Sequence, residues 1–418
     1  MIDLARIIST NDYKVFAGPD WPSYQDVVSG TVTGNAVIQQ EVAEFVQMMS
    51  QTYHETTQPG TVLAENNQQR QRQVFFDKQL TGTKSCDIPW NTLGVNYNGD
   101  IFICSSPSWV PKFVGNLLEV DSVYDALNSV TAQQIRQEIK ANRYFYCNNE
   151  ICSFFKGIDP AEYQTVPGAT DPLPFAPKDE FQVKQIPKHL IFDFDYTCNF
   201  QCASCRTQLI NNNKHHVIRP INDSIVSRIQ RMIIDQIQSQ PVEIRWCGGE
   251  PFISEVYLNL MEYIVASGRS NIQHIIQTNG SYLQKKSDLL LKLLPTLKEL
   301  RVSFDAATAE TYSITRTNGQ WHTLLENVRW ARDTINNQAT ATKLSADFVV
   351  QADNYKEIPA FVELCHGLGI DQIYFQKMWN WGTWSQQEFD AKNIYNPRHP
   401  DYSDLVKIFN QAQVPIGF

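Results

Sequence analysis

The chain has 418 residues, 42% of them apolar and 19% charged, enough to fill two or three domain cores. Its 35 basic and 44 acidic residues leave a net charge of −9 with no long basic run, which argues against nucleic acid held by phosphate neutralisation. No apolar stretch approaches the roughly 20 residues that span a bilayer, and the nine cysteines, with no signal-like start in "MIDLARIISTNDYK", make a disulfide framework a poor reading. The expectation is a cytoplasmic protein, with no membrane or nucleic-acid partner, whose thiols are held for metal or redox chemistry.

Residues 1–80 carry no chemistry that can be read, and within them 51–74, rich in Gln, Asn and Thr, reads as a polar loop or frayed helix. Four cysteines follow, Cys86, Cys104, Cys147 and Cys152, spaced C-x17-C-x42-C-x4-C. The segment "VNYNGDIFIC" (95–104) reads as a hairpin turning at Asn98–Gly99, with alternating apolar arms and Cys104 closing the second. Four thiolates suit a closed zinc site or an iron–sulfur cluster. From 157 to 188, six prolines mark an extended linker laid over a surface.

Beyond the linker, strands alternate with helices. Strands are expected at 189–196, 242–246, 272–278, 299–305, 344–351 and 371–377. Helices are expected at 222–237, from Ser254 to a stop at Gly268, at 286–294, at 321–335 and at 356–366. Alternation of this kind predicts parallel pairing through right-handed crossovers, with ligand chemistry at the C-terminal ends of the strands.

Directly after the first of these strands, "DYTCNFQCASCRTQ" places Cys198, Cys202 and Cys205 within eight positions of a polar loop. Core packing would need an apolar periodicity that the loop lacks. A closed zinc site needs a fourth ligand, and His215 and His216, in the polar run "NNNKHH", are weak candidates. Three thiolates instead suit a cubane cluster with one iron left open for a substrate or cofactor.

This CxxxCxxC loop after a first β-strand resembles the radical SAM superfamily over about 190–380. The resemblance implies that S-adenosylmethionine (SAM) chelates the open iron. "CGGEPF" (247–252) looks like the family's GGE motif, and "QTNG" (277–280), "RVSFD" (301–305) and "TYSITRTNGQWHTLLENV" (311–328) are similar to its later motifs. By that resemblance the SAM-binding residues are Gly248, Gly249, Glu250, Asn279, Ser303 and Arg316, with Glu250 accepting from a cationic amine and Arg316 meeting the SAM carboxylate. One departure is Ser204, where the family usually has an aromatic residue near the adenine. Tyr374 and Phe375 are the expected substitutes. No catalytic acid or base is assigned.

The earlier cysteines, the Gly99–Cys104 hairpin, "GNLLEVDSVYDALNS" (115–129) and "IRQEIKANRYFYC" (135–147) resemble the Twitch, or half-SPASM, module. That resemblance implies an auxiliary 4Fe–4S cluster on Cys86, Cys104, Cys147 and Cys152, here ahead of the barrel. Of the two remaining cysteines, Cys365 and Cys247 are both expected in the core, with a redox or hydrogen-donor role weighed for Cys247. Trp379, Trp381 and Trp384 are expected to cap an incomplete barrel, one of them facing substrate.

The resulting expectation is an α/β chain, a partial (β/α)6 radical SAM barrel preceded by a small α+β Twitch-like cluster domain. The divisions are 1–80 (role unknown), 81–156 (cluster domain), 157–188 (linker), 189–380 (barrel) and 381–418 (aromatic-rich extension). The implied cofactors are two 4Fe–4S clusters and SAM, with an electron donor such as flavodoxin or ferredoxin. The implied activity is an oxidoreductase-type radical SAM enzyme: reductive SAM cleavage to a 5′-deoxyadenosyl radical that takes hydrogen from a peptide or protein. Dehydrogenation or modification of a small sugar-like molecule is the alternative within this class. A non-catalytic metal-binding scaffold is the alternative outside it.

Overall fold

An Asn–Gly pair between two apolar arms is a hairpin signal because a type I′ turn needs positive φ at both central residues. The computed structural model, which describes residues 78–80, 85–147, 152–156, 163–165, 171–380 and 383–412, has Asn98 at φ 61° and Gly99 at φ 83°. The N-terminal 77 residues, the polar run at 51–74 among them, and Trp381 lie outside the described residues. The chain divides into two units, one built from segments up to Phe194 with Asn212–Gln240, the other from Asp195–Asn211 with Pro241 onward.

In the first unit β1 (Lys78–Leu80) pairs antiparallel with β5 (Tyr163–Thr165). A short helix α1 (Ile88–Asn91) leads into β2 (Thr92–Asn96), which the Asn98–Gly99 turn folds onto β3 (Asp100–Phe102), with Gly94 opposite Phe102 and Val95 opposite Ile101. β4 (Gly115–Asn116) extends that antiparallel side, and β6 (His189–Asp193) pairs parallel with β2 on the other. Helices α2 (Val123–Leu127) and α3 (Val130–Lys140) each start on a serine that accepts a backbone N–H, Ser122 from Tyr124 and Ser129 from Ala132. Helix α4 (Ser153–Lys156) is one turn.

The described part of the proline-rich run, from Asp171, is fastened to α3 and to Asn128 at the end of α2. Gln137 donates to Pro174 O and accepts from Ala176 N, Glu138 accepts from Leu173 N, and Asn128 both donates to and accepts from the Val183 backbone. Arg136, fully buried, reaches the carbonyls of Pro89, Leu127 and Phe181. Burial lowers that guanidinium to about 10.

Helix α5 (Ile218–Met232) starts four residues before the expected Asn222 and ends before the expected 237, in a 3-10 turn at Ile234–Gln236. The early start is tolerated because Pro220 falls in the first turn, where a missing N–H breaks no helical bond. His215 Nδ1 accepts from Val217 N and Ile218 N (3.3 Å each), so this histidine caps the start of α5.

In the second unit, β7 (Val242–Trp246), β8 (Ile272–Thr278), β9 (Leu297–Ser303), β10 (Lys343–Val350) and β11 (Gln372–Lys377) form a parallel sheet in chain order. The crossovers carry α6 (Glu255–Ala266), α7 (Ser287–Leu293), α8 (Ala309–Thr315), α9 (Trp321–Asn337) and α10 (Ile358–Gly367). Two helices not anticipated, α11 (Gln386–Lys392) and α12 (Tyr402–Gln411), follow β11. The sheet is open, in keeping with a partial barrel, and α/β with parallel strands is the class the alternation predicted. Alternate residues of β10, Leu344, Ala346, Phe348 and Val350, are buried on the helix side. There Phe348 packs on Phe361 of α10 at 4.6 Å and on Phe375 at 5.6 Å, and Phe375 on Phe409 of α12 at 5.7 Å. Such ring pairs contribute about 0.5–1.5 kcal/mol each beyond burial.

Candidate functional site

All nine residues that the sequence assigned to the cysteine loop and to SAM line one cavity of about 270 Å³ in the second unit. The loop itself is shaped by backbone. Cys198 N donates to Ile210 O (2.8 Å), and Gln201 N donates to Thr317 O (3.1 Å). From the GGE segment, Gly249 N donates to Asp195 O (2.9 Å) and Glu250 N to Thr197 O (2.7 Å). A Cβ at Gly249 would sit 2.1 Å from Thr197 O and 2.6 Å from Tyr196 C, so only glycine lets the two segments approach.

Asp195 anchors the loop's entry: Oδ1 accepts from Thr197 Oγ1 and N, and Oδ2 from Ser254 Oγ at 2.5 Å. Glu250 is fully buried. Its Oε1 accepts from Thr278 Oγ1 (2.7 Å) and Phe252 N (3.1 Å), and its Oε2 from Asn279 N (2.6 Å). Burial pushes its pKa up, and these donors work against that push. Two lone pairs per oxygen leave one acceptor site on Oε2 for the expected amine. Arg316 is paired already, Nη2 with Asp305 Oδ2 at 2.8 Å and Nη1 with Cys202 Sγ at 3.8 Å, while its buried Nε has no partner. Burial works to lower the Arg316 pKa, and Asp305 and Cys202 outweigh it and raise it. Asp305 holds the left-handed conformation at φ 56°, which costs a non-glycine residue about 1–3 kcal/mol. Asp305 Oδ1 accepts from Val349 N (2.7 Å), and its carbonyl accepts from Asn354 Nδ2 (3.0 Å), fixing the turn.

Of the three thiols, Cys202 is buried, Cys198 half-buried and Cys205 exposed. Burial pushes Cys198 up to about 11, against the pull of Arg206. Three soft sulfurs with no fourth beside them in the loop, opening on one cavity, fit a cubane cluster with an open iron.

The opposite wall was less legible. Gln376, Lys377, Met378 and Trp379 line it together with Gln277. Asp347, buried behind them, accepts from Gln376 Nε2 (2.8 Å) and Gln277 Nε2 (3.0 Å), and Arg245 donates to Gln277 Oε1 (3.0 Å). Tyr374 and Phe375, expected near the adenine, are not in the lining. Arg301 stacks on Tyr374 at 3.9 Å, and Phe375 faces the helix side. Strand alternation turns Phe375 away, because Gln376 and not its neighbour shares the face of the cavity; Tyr374 is on the Gln376 face, and its ring is taken by Arg301. Cys247 also departs from expectation: it is half-buried and lines the cavity rather than the core. Cys365 is in the core as expected, with burial raising it to about 12. Arg206, Asp195 and Asp305 were missed; the signal was a charged residue beside the last cysteine and an acid at the end of a strand.

In the first unit, Cys86, Cys104, Cys147 and Cys152 lie within electrostatic reach of one another. Cys147 feels all three others, and Cys104 feels Cys152 and Cys86. Cys86 is half-buried and the rest are buried. Burial raises Cys86 to about 11 and Cys104 to about 12, and Cys147 well above its usual value. Tyr144 joins the set, its hydroxyl accepting from Cys86 N at 3.3 Å and its ring packed edge-on against Phe155 at 5.0 Å. Among the described residues no group of three or more His, Cys, Asp or Glu is placed to hold a metal ion. No described helix is long and apolar enough to cross a membrane.

Comparison with known proteins finds two domains. Residues 195–365 match the Radical SAM superfamily, and residues 86–153 match SPASM, an iron–sulfur cluster-binding domain. A protein of Methanocaldococcus jannaschii described as a probable GTP 3′,8-cyclase is 23% identical over 172 residues, 41% of this chain and 53% of that protein. One of Saccharolobus islandicus with the same description is 23% identical over 180 residues, 43% and 53% of the two chains. The chain thus spans about half the length of the curated relatives it matches. Among solved structures, Streptococcus suis SuiB bound to S-adenosylmethionine gives a TM-score of 0.38 at 16% identity, covering 55% of this chain and 47% of that one. Native anSMEcpe with bound AdoMet gives 0.34 at 15%, covering 46% and 52%.

Proposed function

The chain is a radical SAM protein that carries a SPASM iron–sulfur domain ahead of its radical SAM domain, and we propose that it is an oxidoreductase-type enzyme acting on a peptide or protein. When bound, SAM and the cluster on the three-cysteine loop supply a 5′-deoxyadenosyl radical able to take hydrogen from an unactivated carbon. The chain's own residues bind, orient and shield. Cys198, Cys202 and Cys205 hold the cluster; Gly248 and Gly249 bring backbone close to the ligand. Glu250 offers its remaining lone pair to the SAM ammonium. The unpartnered Nε of Arg316 and the side chains of Asn279 and Ser303 are positioned for its polar groups. Cys86, Cys104, Cys147 and Cys152 hold the auxiliary cluster, and an external flavodoxin- or ferredoxin-like donor supplies electrons.

The observation that carries this reading is the convergence of the three cysteines, the GGE segment, Ser303 and Arg316 on one cavity. The peptide assignment is compatible with the SPASM domain, a module that the sequence resemblance links both to peptide modification and to oxidation of small alcohol-bearing molecules. A small-molecule substrate is the second reading, favoured by the curated relatives whose description names GTP. Both start from the same test. Reconstituted protein should bind about eight irons, four per cubane, and changing Cys198, Cys202 and Cys205 together to Ala should remove about half of them and all SAM cleavage. Full iron in that variant refutes the loop assignment. Peptide and small-molecule extracts, compared for transfer of deuterium into 5′-deoxyadenosine, then separate the two substrate readings.

A further inference from the structure

Each of the three loop sulfurs has its own side-chain N–H within sulfur hydrogen-bond range, and each comes from a different position in the unit. Arg206 Nη2 lies 3.5 Å from Cys205 Sγ, Arg316 Nη1 3.8 Å from Cys202 Sγ, and Asn279 Nδ2 4.0 Å from Cys198 Sγ. All three donors are fixed by a second bond. Arg206 Nη1 donates to Tyr196 O at 2.8 Å, bracing the guanidinium between the loop's entry and its last cysteine. Arg316 is held by Asp305, and Asn279 by Asn199 Oδ1 at 3.0 Å and by Ser281.

Hydrogen bonds and positive charge at cluster sulfurs favour the reduced, more negative state and so raise the reduction potential. Arg316 and Asn279 belong to the proposed SAM site. Arg206 has a different pattern: one half of its fork is spent on backbone and the other on sulfur. We propose that Arg206 is a positioning residue that sets the potential of the loop cluster, acting through Cys205 and not through SAM. This rests on the reading that the three cysteines hold a cluster.

The test is a redox titration of reconstituted full-length protein without SAM, followed by electron paramagnetic resonance. The loop cluster is the signal that changes when SAM is added; the auxiliary signal does not change. In Arg206→Met, which keeps the stem but removes charge and donors, the loop signal should move to a more negative midpoint. The reduced-to-oxidised ratio at fixed poise should fall about tenfold, 59 mV for a one-electron couple, with the auxiliary midpoint unmoved. Arg206→Lys, which keeps the charge without the planar fork, should recover most of the shift. If Arg206→Met assembles poorly, Arg206→Gln, which keeps a neutral donor but no charge, is read in its place, and its midpoint should be more negative than those of wild type and Arg206→Lys. An unmoved midpoint with full iron in Arg206→Met or Arg206→Gln overturns the proposal. Full iron after replacement of all three cysteines instead overturns the assignment beneath it.

Discussion

Replacing Glu250 by Gln tests whether the GGE carboxylate is structural, ligand-binding or both. Its oxygens accept three protein donors at 2.6–3.1 Å in a fully buried position. A glutamine keeps one carbonyl oxygen, which can still serve Thr278 and Phe252. Its amide nitrogen then faces Asn279 N, donor against donor. The loss is one charge-assisted bond, about 1.5–3 kcal/mol, and a buried N–H is left unsatisfied at about 1–3 kcal/mol. Relaxation recovers part of this, leaving a cost of about 2–4 kcal/mol, a large share of the roughly 5–15 kcal/mol that holds a domain folded. Asn279 moves with its backbone, so SAM binding should weaken at least tenfold while the three cysteines keep their iron. Urea unfolding of the apo chain followed by circular dichroism gives the first number, and calorimetric titration of SAM into reconstituted protein gives the second. An unchanged urea midpoint together with unchanged SAM affinity refutes the reasoning.

Two further changes probe the two cysteine sets separately. Gly249→Ala drives a methyl into the Thr197 carbonyl, so the loop should separate from the GGE segment and lose its share of iron, about half the total; full iron loading with intact SAM cleavage contradicts the packing. Cys104→Ala should damage product formation while some uncoupled 5′-deoxyadenosine release survives, because a cluster closed by four thiolates has no iron free for SAM. Loss of both activities with an intact circular dichroism spectrum refutes that separation, and one equivalent of zinc in place of iron at this site refutes an electron-transfer role.

What the sequence made legible was what local chemistry dictates. Asn98–Gly99 can only be left-handed at small cost, so the hairpin was readable. The apolar runs of β7 and β8 begin and end where expected. The start of α5 was misplaced because the signal looked for was a capping Asn or Ser, and the structure uses the imidazole of His215 instead. The wall opposite the cysteines was least legible. The sequence offered Tyr374 and Phe375, which fall on opposite faces of β11; Phe375 turns to the helix side, and Tyr374 is covered by Arg301. Cys247 was misread for the same reason: it lies one residue beyond β7, on the cavity side, and composition does not reveal a side.

The charge of the cavity ties these observations together. Its lining holds Arg206, Arg316 and Lys377 against Glu250 and Asp305, an excess of one cation in a chain that carries −9 overall. Both carboxylates are bonded internally, Asp305 by Arg316 and Val349 N, Glu250 by three donors that leave it one acceptor site on Oε2. Their charge therefore steadies the wall instead of repelling an anion. The lining residues are donor-rich: an N–H group lies on each loop sulfur, and the buried Nε of Arg316 has no partner. Such a lining favours a group that arrives or becomes negative, and three thiolates, a carboxylate and an added electron are all of that kind. The backbone clamps from Gly249, Glu250 and Gln201 fix the loop by bonds that involve no ligand. The donors are thereby aimed in advance, and little reorganisation is required when negative charge is added to the sulfurs.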